Sequence, residues 1–421
     1  MTSKISVYWD GEQSNVEDPE FRYRRGGLHP IILGDVMTAD SPARHYRILH
    51  KLGRGAYATV WLAETLHLPS RRYVALKVCA ANADSQHELK IFHHLPRDGP
   101  HNVIQLLDSF SVQGPNGVHA ILVQDVVGQP TAPMRSLTRS ASRVISRQLA
   151  QGLADLHRHG VVHGGEPMKS LDFHLGNVGV ALPPLDDKLI ADILSEAGSP
   201  ACTIVLPRER PSCPQTLPAY VVPPISIIDY LATWDPTLHE TRLRAMILDL
   251  GSAVLIEERT RPFCTLTEVC APELVFEFAA HESKPSPTLA SDIWSFACTI
   301  YEFVIGSRLF GGHCVQPNSY LLSKMARLCG EVPPTWRKYW ESQDDLRSRP
   351  VSQEVADYQW QYQIEYLTTK KQYKRPEERP TVSEVSEFFQ FLRFMLQIDP
   401  QRRPSAEQVL NHPWLRGKGR Q

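Results

Sequence analysis

The 421-residue chain has no Cys-x-x-Cys pair and no histidine cluster at metal-ligand spacing. Its eight cysteines, at 79, 202, 213, 264, 270, 298, 314 and 329, are scattered. In a chain of this length that pattern speaks against a disulfide framework and against zinc. Runs of 18 apolar residues are also lacking, and the opening Met1-Thr-Ser-Lys-Ile-Ser-Val-Tyr-Trp-Asp10 has no apolar signal core. No membrane span or secretory leader is expected, and the chain reads as intracellular. Charge of one sign is missing as well: the net charge is −1, which gives no general pull toward nucleic acid or anionic lipid. No internal repeat is visible.

What remains is an ordinary globular composition, 42% apolar and 22% charged, in a chain too long for one hydrophobic core, so two lobes are expected. Residues 1–45 are polar and rich in turn formers, and read as an N-terminal extension. Tyr46-Arg-Ile-Leu-His-Lys-Leu52, Thr59-Val-Trp-Leu-Ala63 and Tyr73-Val-Ala-Leu-Lys-Val-Cys79 have strand character. Gln86 to Leu95 has helical spacing, with Leu89, Phe92 and Leu95 on one face. Ala120 to Val127 is a further apolar strand closed by Gly128. A small, sheet-rich lobe over 46–128 follows. From Ser140 the pattern turns helical, with Val144, Leu149, Leu153 and Leu156 on one stripe, and a mainly helical lobe is expected over 129–415. Nine prolines between Ala181 and Pro224 and weak periodicity mark 181–245 as an irregular surface excursion outside the core. The last helix is expected from Ser405 to about Trp414, before a short tail at 416–421.

Several short patterns carry chemistry. Gly53-Arg-Gly55-Ala-Tyr-Ala-Thr-Val60 lies between two expected strands, where glycines let backbone amides approach phosphate closely. Taken alone, such a pair is usually just a hairpin. Val74-Ala-Leu-Lys77 puts a lysine in a strand apolar on both faces. An unpaired ammonium there is costly, and Glu88 on the next helix is its natural partner. Asp172-Phe-His-Leu-Gly-Asn177 pairs an aspartate with an asparagine five residues on. Asp249-Leu-Gly251 follows the strand Ala245-Met-Ile-Leu248, and Ala271-Pro-Glu273 ends 24 residues beyond Asp249. Ser291-Asp-Ile-Trp-Ser295 and Asp399-Pro-Gln-Arg-Arg403 complete the series.

In this order the motifs resemble those of eukaryotic protein kinases over residues 46–415. More narrowly the chain resembles the SR-protein kinases, particularly their divergent fungal relatives. Tyr23-Arg-Arg-Gly-Gly-Leu-His-Pro30 with Gly34-Asp35, Ser291 to Cys298, the Asp-Leu-Gly variant and Pro218-Ala-Tyr-Val-Val-Pro-Pro224 carry that likeness. The resemblance implies an α+β bilobal kinase fold and transfer of the ATP γ-phosphate to protein Ser/Thr hydroxyls, arginine-serine-rich splicing factors among them. By the same resemblance ATP and Mg²⁺ are the cofactors and the chain is a monomer, cytoplasmic, nuclear or both, with no direct nucleic-acid or membrane partner. Lys77, held by Glu88, would orient the α- and β-phosphates. Asp249 and Asn177 would hold Mg²⁺, and Asp172 would position the substrate hydroxyl. Leu52, Gly53, Arg54, Gly55, Val60 and Ala75 would cover the nucleotide, with Gln124, Asp125 and Val127 in the adenine-binding hinge. Glu273 is expected to pair with Arg403, and Asp292 to cap the catalytic loop.

The chain departs from the pattern at four places. Ala58 replaces the third loop glycine. Gly165-Glu-Pro-Met-Lys-Ser-Leu171 separates His163 from Asp172, and is expected to bulge outward while Asp172, Asn177 and Asp249 still converge. His174 stands where such kinases carry a lysine. Gly164 replaces the arginine before the catalytic aspartate, so control by activation-loop phosphorylation is not expected. Beside the active kinase, a pseudokinase acting as a nucleotide-binding scaffold stays open.

Overall fold

A computed structural model describes residues 6–8, 22–40, 43–66, 73–96, 102–128, 139–164, 175–181, 185, 192, 201–207, 213–225, 227, 244–258, 268–282, 285–311, 318–369 and 380–416. In chain order the strands and helices begin with β1 (Ser6–Tyr8), β2 (Val36–Asp40), β3 (Ala43–Arg54), β4 (Ala58–Thr65), β5 (Tyr73–Cys79) and α1 (Ser85–His94). Then come β6 (Leu106–Gly114), β7 (Gly117–Gln124), β8 (Val127–Gly128), α2 (Arg139–Arg158), β9 (Val161–Val162) and β10 (Val178–Ala181). Next are β11 (Thr203–Val205), β12 (Tyr220–Val221), β13 (Arg244–Ile247), β14 (Val254–Leu255), α3 (Pro272–His281) and α4 (Leu289–Ile305). The longer helices that follow are α5 (Asn318–Cys329), α6 (Gln353–Thr369) and α7 (Val382–Met395). The chain divides into two compact units, Met1–Ser136 with Val178–Gly251, and Leu137–Asn177 with Ser252–Gln421. These differ from lobes drawn at 46–128 and 129–415, because residues 178–251 lie with the first unit.

The first unit is built on a six-stranded sheet of order β2-β3-β4-β5-β7-β6. Strand period two sends Val74, Leu76 and Val78 to one face, where they join Trp61, Ala63, Ile121 and Val123 in a buried cluster that also takes in Ile31, Met37 and Val222. Ala75 and Lys77 therefore point to the opposite face. Burial on both faces explains the near-continuous apolar runs of β5 and β7.

The described residues of 181–245 correct, where they lie, the expectation of an excursion outside the core. Val222 is part of the sheet's buried cluster. Val205 and Val221 bury with Tyr23, Leu28 and Ala80, and Leu185 and Ile227 with Leu49, Leu62, Tyr73 and Val126. A small sheet of order β1-β11-β12 and long-range bonds hold these pieces in place: Ile225 N to Lys51 O at 2.9 Å, Leu33 N to Tyr220 Oη at 3.0 Å and Asn116 Nδ2 to Thr216 O at 3.0 Å. Isolated apolar residues between prolines leave no periodic trace, yet Leu185, Val205, Val221, Val222 and Ile227 are buried. The polar-looking 22–40 is likewise integral to the unit, with β2 pairing along β3.

The second unit is mainly helical, and its helix starts follow local chemistry. Reciprocal capping boxes, Thr288 with Ser291 and Thr381 with Glu384, satisfy the free amides that open α4 and α7. Gly306, at φ 79°, ends α4 in the left-handed conformation favoured for glycine. On α2 the buried stripe runs through Ala141, Ile145, Leu149, Leu153 and Leu156, while Val144, expected on it, is 48% exposed. A shift of one residue rotates a side chain by about 100° around a helix, so the stripe is centred one position later. The last helix, expected to run unbroken from Ser405, is two short turns, Ala406–Leu410 and Pro413–Arg416. Pro413 has no N–H to continue the first.

Candidate active site

Lys77 lies in β5 across from Val60 of β4 and Leu122 of β7, with its side chain 13% exposed. Its Nζ donates to both oxygens of Glu88 at 2.8 Å and to Asp249 Oδ1 at 2.8 Å. Glu88 stands in the first turn of α1, behind the N-cap Asp84, and is buried. Burial alone would lower the lysine's affinity for its proton. The carboxylates of Asp249 and Glu88 outweigh that, and hold the ammonium well above the ordinary lysine range.

Asp249 follows β13 with φ 59°, a left-handed conformation that aspartate tolerates better than most residues. Its Oδ1 also accepts from Gly251 N at 3.2 Å. A Cβ at Gly251 would stand 3.2 Å from that oxygen and 3.5 Å from Glu88 Oε2, so a side chain there would crowd the cluster.

The nucleotide-covering candidates share this unit. Gly53 is buried opposite Val60, and Arg54 pairs with Thr59 and is exposed. Gly55 N donates to Ala58 O at 2.8 Å, closing the turn. Leu52 is half-buried against the cluster containing Leu49 and Val126. Ala75 pairs with Leu62 and Gln124. Gln124 ends β7 and is buried, Asp125 is half-buried, and Val127 opens β8 opposite Ala181.

In the second unit Asn177 closes a short 3-10 turn, Leu175–Asn177, and is half-buried. Asp172, His174 and the inserted residues 165–171 lie outside the described residues, and with them the expected bulge. Asp292 accepts from His163 N at 2.7 Å, Gly164 N at 3.0 Å and His157 Nε2 at 2.9 Å, the capping expected of it. Gly164 has φ +64°, and a Cβ there would meet Ser252 O at 2.8 Å. The missing arginine therefore leaves a position that suits glycine alone. Arg403 donates to Glu273 at 2.8 and 2.6 Å, the pair expected from the sequence. It also serves the carbonyls of Ala290 and Gln397 and lies 5.2 Å above the Trp294 ring.

One residue escaped the sequence reading. Arg22 Nη2 donates to the carbonyl oxygens of Gly55 and Ala56 in the glycine turn, the latter at 2.9 Å. An arginine in a polar, aperiodic segment gives no signal of such a contact.

Residues 237–415 match the protein kinase domain family. The chain is 26% identical over 432 residues to serine/threonine-protein kinase SRPK of Physarum polycephalum, covering 97% of this chain and 92% of that protein. It is 31% identical over 163 residues to SRSF protein kinase 3 of Homo sapiens, covering 35% of this chain and 27% of that protein. A kinase-domain crystal structure aligns with a TM-score of 0.54 at 16% identity, covering 92% of this chain and 99% of the other. That last likeness bears on the fold alone, which is α+β with an antiparallel-sheet unit and a mainly helical one. Its ordered motifs, the protein kinase match over 237–415 and these relatives make the chain similar to the SR-protein kinases among eukaryotic protein kinases.

Proposed function

We propose that the chain is an ATP-dependent serine/threonine protein kinase, and that Lys77, Glu88 and Asp249 form its nucleotide-and-metal centre. The observation that carries this is the single ammonium shared by two carboxylates at 2.8 Å. With those ionisations the cluster has a net charge of −1, and Asp249 is 48% exposed. A hard carboxylate oxygen at that exposure suits Mg²⁺, which takes few protein ligands and keeps waters and phosphate oxygens. Among the described residues no group of three or more His, Cys, Asp or Glu is placed to cage a metal, in keeping with that mode. When bound, Mg²⁺ neutralises charge on the β- and γ-phosphates. Lys77 orients the α- and β-phosphates, and Glu88 fixes where its ammonium sits. The roles of Asp172, to accept the hydroxyl proton, and of Asn177, as a second metal ligand, rest on their five-residue spacing.

The substrate reading, protein hydroxyls within arginine-serine-rich segments, draws on the resemblance and on a relative's name as an SRSF protein kinase. Candidates for an acidic surface receiving such a peptide are Glu341, Asp344, Asp345, Glu354 and Asp357. Asp344 is paired with Arg347 at 2.6 Å, Asp357 with Arg393 at 2.8 Å, and Asp345 accepts from Ser319 at 2.5 Å. Exposed pairs of this kind are weak and yield to competing cations, so peptide affinity should fall steeply with added salt.

The test is transfer of radiolabel from ATP to an arginine-serine peptide. Lys77→Met should lower turnover by roughly two to three orders of magnitude, the usual effect of losing one preorganised electrostatic donor. Equal turnover by parent and Lys77→Met would remove this site assignment. ATP·Mg²⁺ binding by the parent without transfer to any protein hydroxyl would leave the scaffold reading.

A further inference from the structure

We infer that Arg22, in the segment ahead of the kinase motifs, is a positioning residue for the phosphate-covering turn Gly53–Ala58; its catalytic meaning rests on the function proposed above. One guanidinium nitrogen bonds two successive carbonyls, those of Gly55 and Ala56. Each peptide unit is planar and trans, so a carbonyl and the following N–H point in opposite directions. Pinning these two carbonyls aims the N–H groups of Ala56 and Tyr57 away from Arg22. On the function proposed above, those N–H groups would be the phosphate donors of the turn. Left to itself, a glycine turn samples many orientations of these peptide planes.

Arg22 has a fixed base from which to act. Leu28 N bonds back to Arg22 O at 2.8 Å, and Gly27 N to Arg24 O at 2.7 Å, which folds residues 22–28 into a compact loop. That loop is tied to the turn before α1 by Ala81 N to Gly27 O at 3.0 Å and Asn82 N to Gly26 O at 2.8 Å. It is tied to the β6–β7 turn by Gly26 N to Asn116 O at 2.8 Å and by Asn116 Nδ2 to Leu28 O at 2.6 Å. Tyr23 and Leu28 are its buried anchors. Ala80 N to Tyr57 O at 2.7 Å links the glycine turn to the same place. One strap thus references both the turn and the helix carrying Glu88 to a single base. A lysine keeps the charge, but its flexible stem does not pre-organise the two N–H bonds that one planar guanidinium nitrogen directs at the paired carbonyls.

The test uses the full chain, comparing the parent with Arg22→Ala and Arg22→Lys. Backbone hydrogen exchange over residues 53–58 should quicken severalfold in Arg22→Ala, with exchange in β5 and α4 unchanged. The KM for ATP should rise roughly tenfold, the effect of losing about one bond to a charged donor, while kcat changes less than twofold. Arg22→Lys should recover part of both effects. Unchanged exchange at 53–58 would overturn the brace whether or not the protein proves to be a kinase. Faster exchange with an unaltered KM would overturn the positioning role and leave a structural contact. A parent that binds no ATP would fail the proposed function, and the exchange result would still decide for or against the brace.

Discussion

Both units join cations to carboxylates, and they leave them differently open to solvent. In the first, Lys77 is 13% exposed while its partner Asp249 is 48% exposed. In the second, Arg403 is wholly buried and Glu273 is 17% exposed. The open cluster keeps a carboxylate within reach of solvent. The closed one spends its hydrogen bonds on neighbouring backbone carbonyls, so it can only hold the fold. Assembly differs too: the helical unit opens α4 and α7 with local caps, whereas the sheet unit gathers segments from opposite ends of a 250-residue stretch (roughly, by the lengths involved).

Removing residues 201–222 should break this comparison most severely. Val205, Val221 and Val222 are buried in the first unit, at roughly 1.5–3 kcal/mol each. The deletion should lower stability by more than about 5 kcal/mol, read from denaturant midpoints. A shortened chain that melts like the parent would return the segment to the status of a surface excursion.

Arg403→Ala comes next. It strands Glu273 and several carbonyls, and breaking a buried ion pair costs about 3–5 kcal/mol. Melting should suffer while ATP affinity at native temperature stays close to the parent's. A variant stable to within about 1 kcal/mol would mean that the closed cluster is not structural in the sense argued from its burial.

The smallest effect is on pH. The rings of His29 and His119 lie 4.7 Å apart, tilted at 43°, with His29 Nδ1 and His119 Nε2 buried and unpaired. Burial first, and the neighbouring His119 charge second, lower His29 from 6.5 to about 4. Burial also lowers His119. A histidine depressed by folding contributes its stability above the unfolded value of 6.5 and loses it as pH falls toward 4. Between pH 7 and 5 the first unit should lose about 2 kcal/mol through His29, by the linkage relation. His29→Leu should flatten that loss, and an acid profile identical to the parent's would place the sensitivity elsewhere.

Legibility followed the range of the interaction. The Lys77 strand, Asp292 beneath the catalytic loop and the Glu273–Arg403 pair were readable, since each is a short pattern or part of an ordered series. The Val144 error was local as well, one residue on a helical wheel. Arg22, Val222 and the β1-β11-β12 sheet were not readable, because their partners lie far away in sequence and no spacing rule connects them.

The sequence by itself marked candidates for chemistry: a lysine in an apolar strand must have an anion, and Glu88 on the next helix was its candidate, while Asp249 was expected only as a metal ligand. Only the tertiary structure decided that both carboxylates meet Lys77 at 2.8 Å, that Gly164 occupies a conformation and space closed to any side chain, and that Val205, Val221 and Val222 belong to the core. The physical reason is that residue type sets what an environment must supply, while long-range pairing and packing decide which distant segment supplies it.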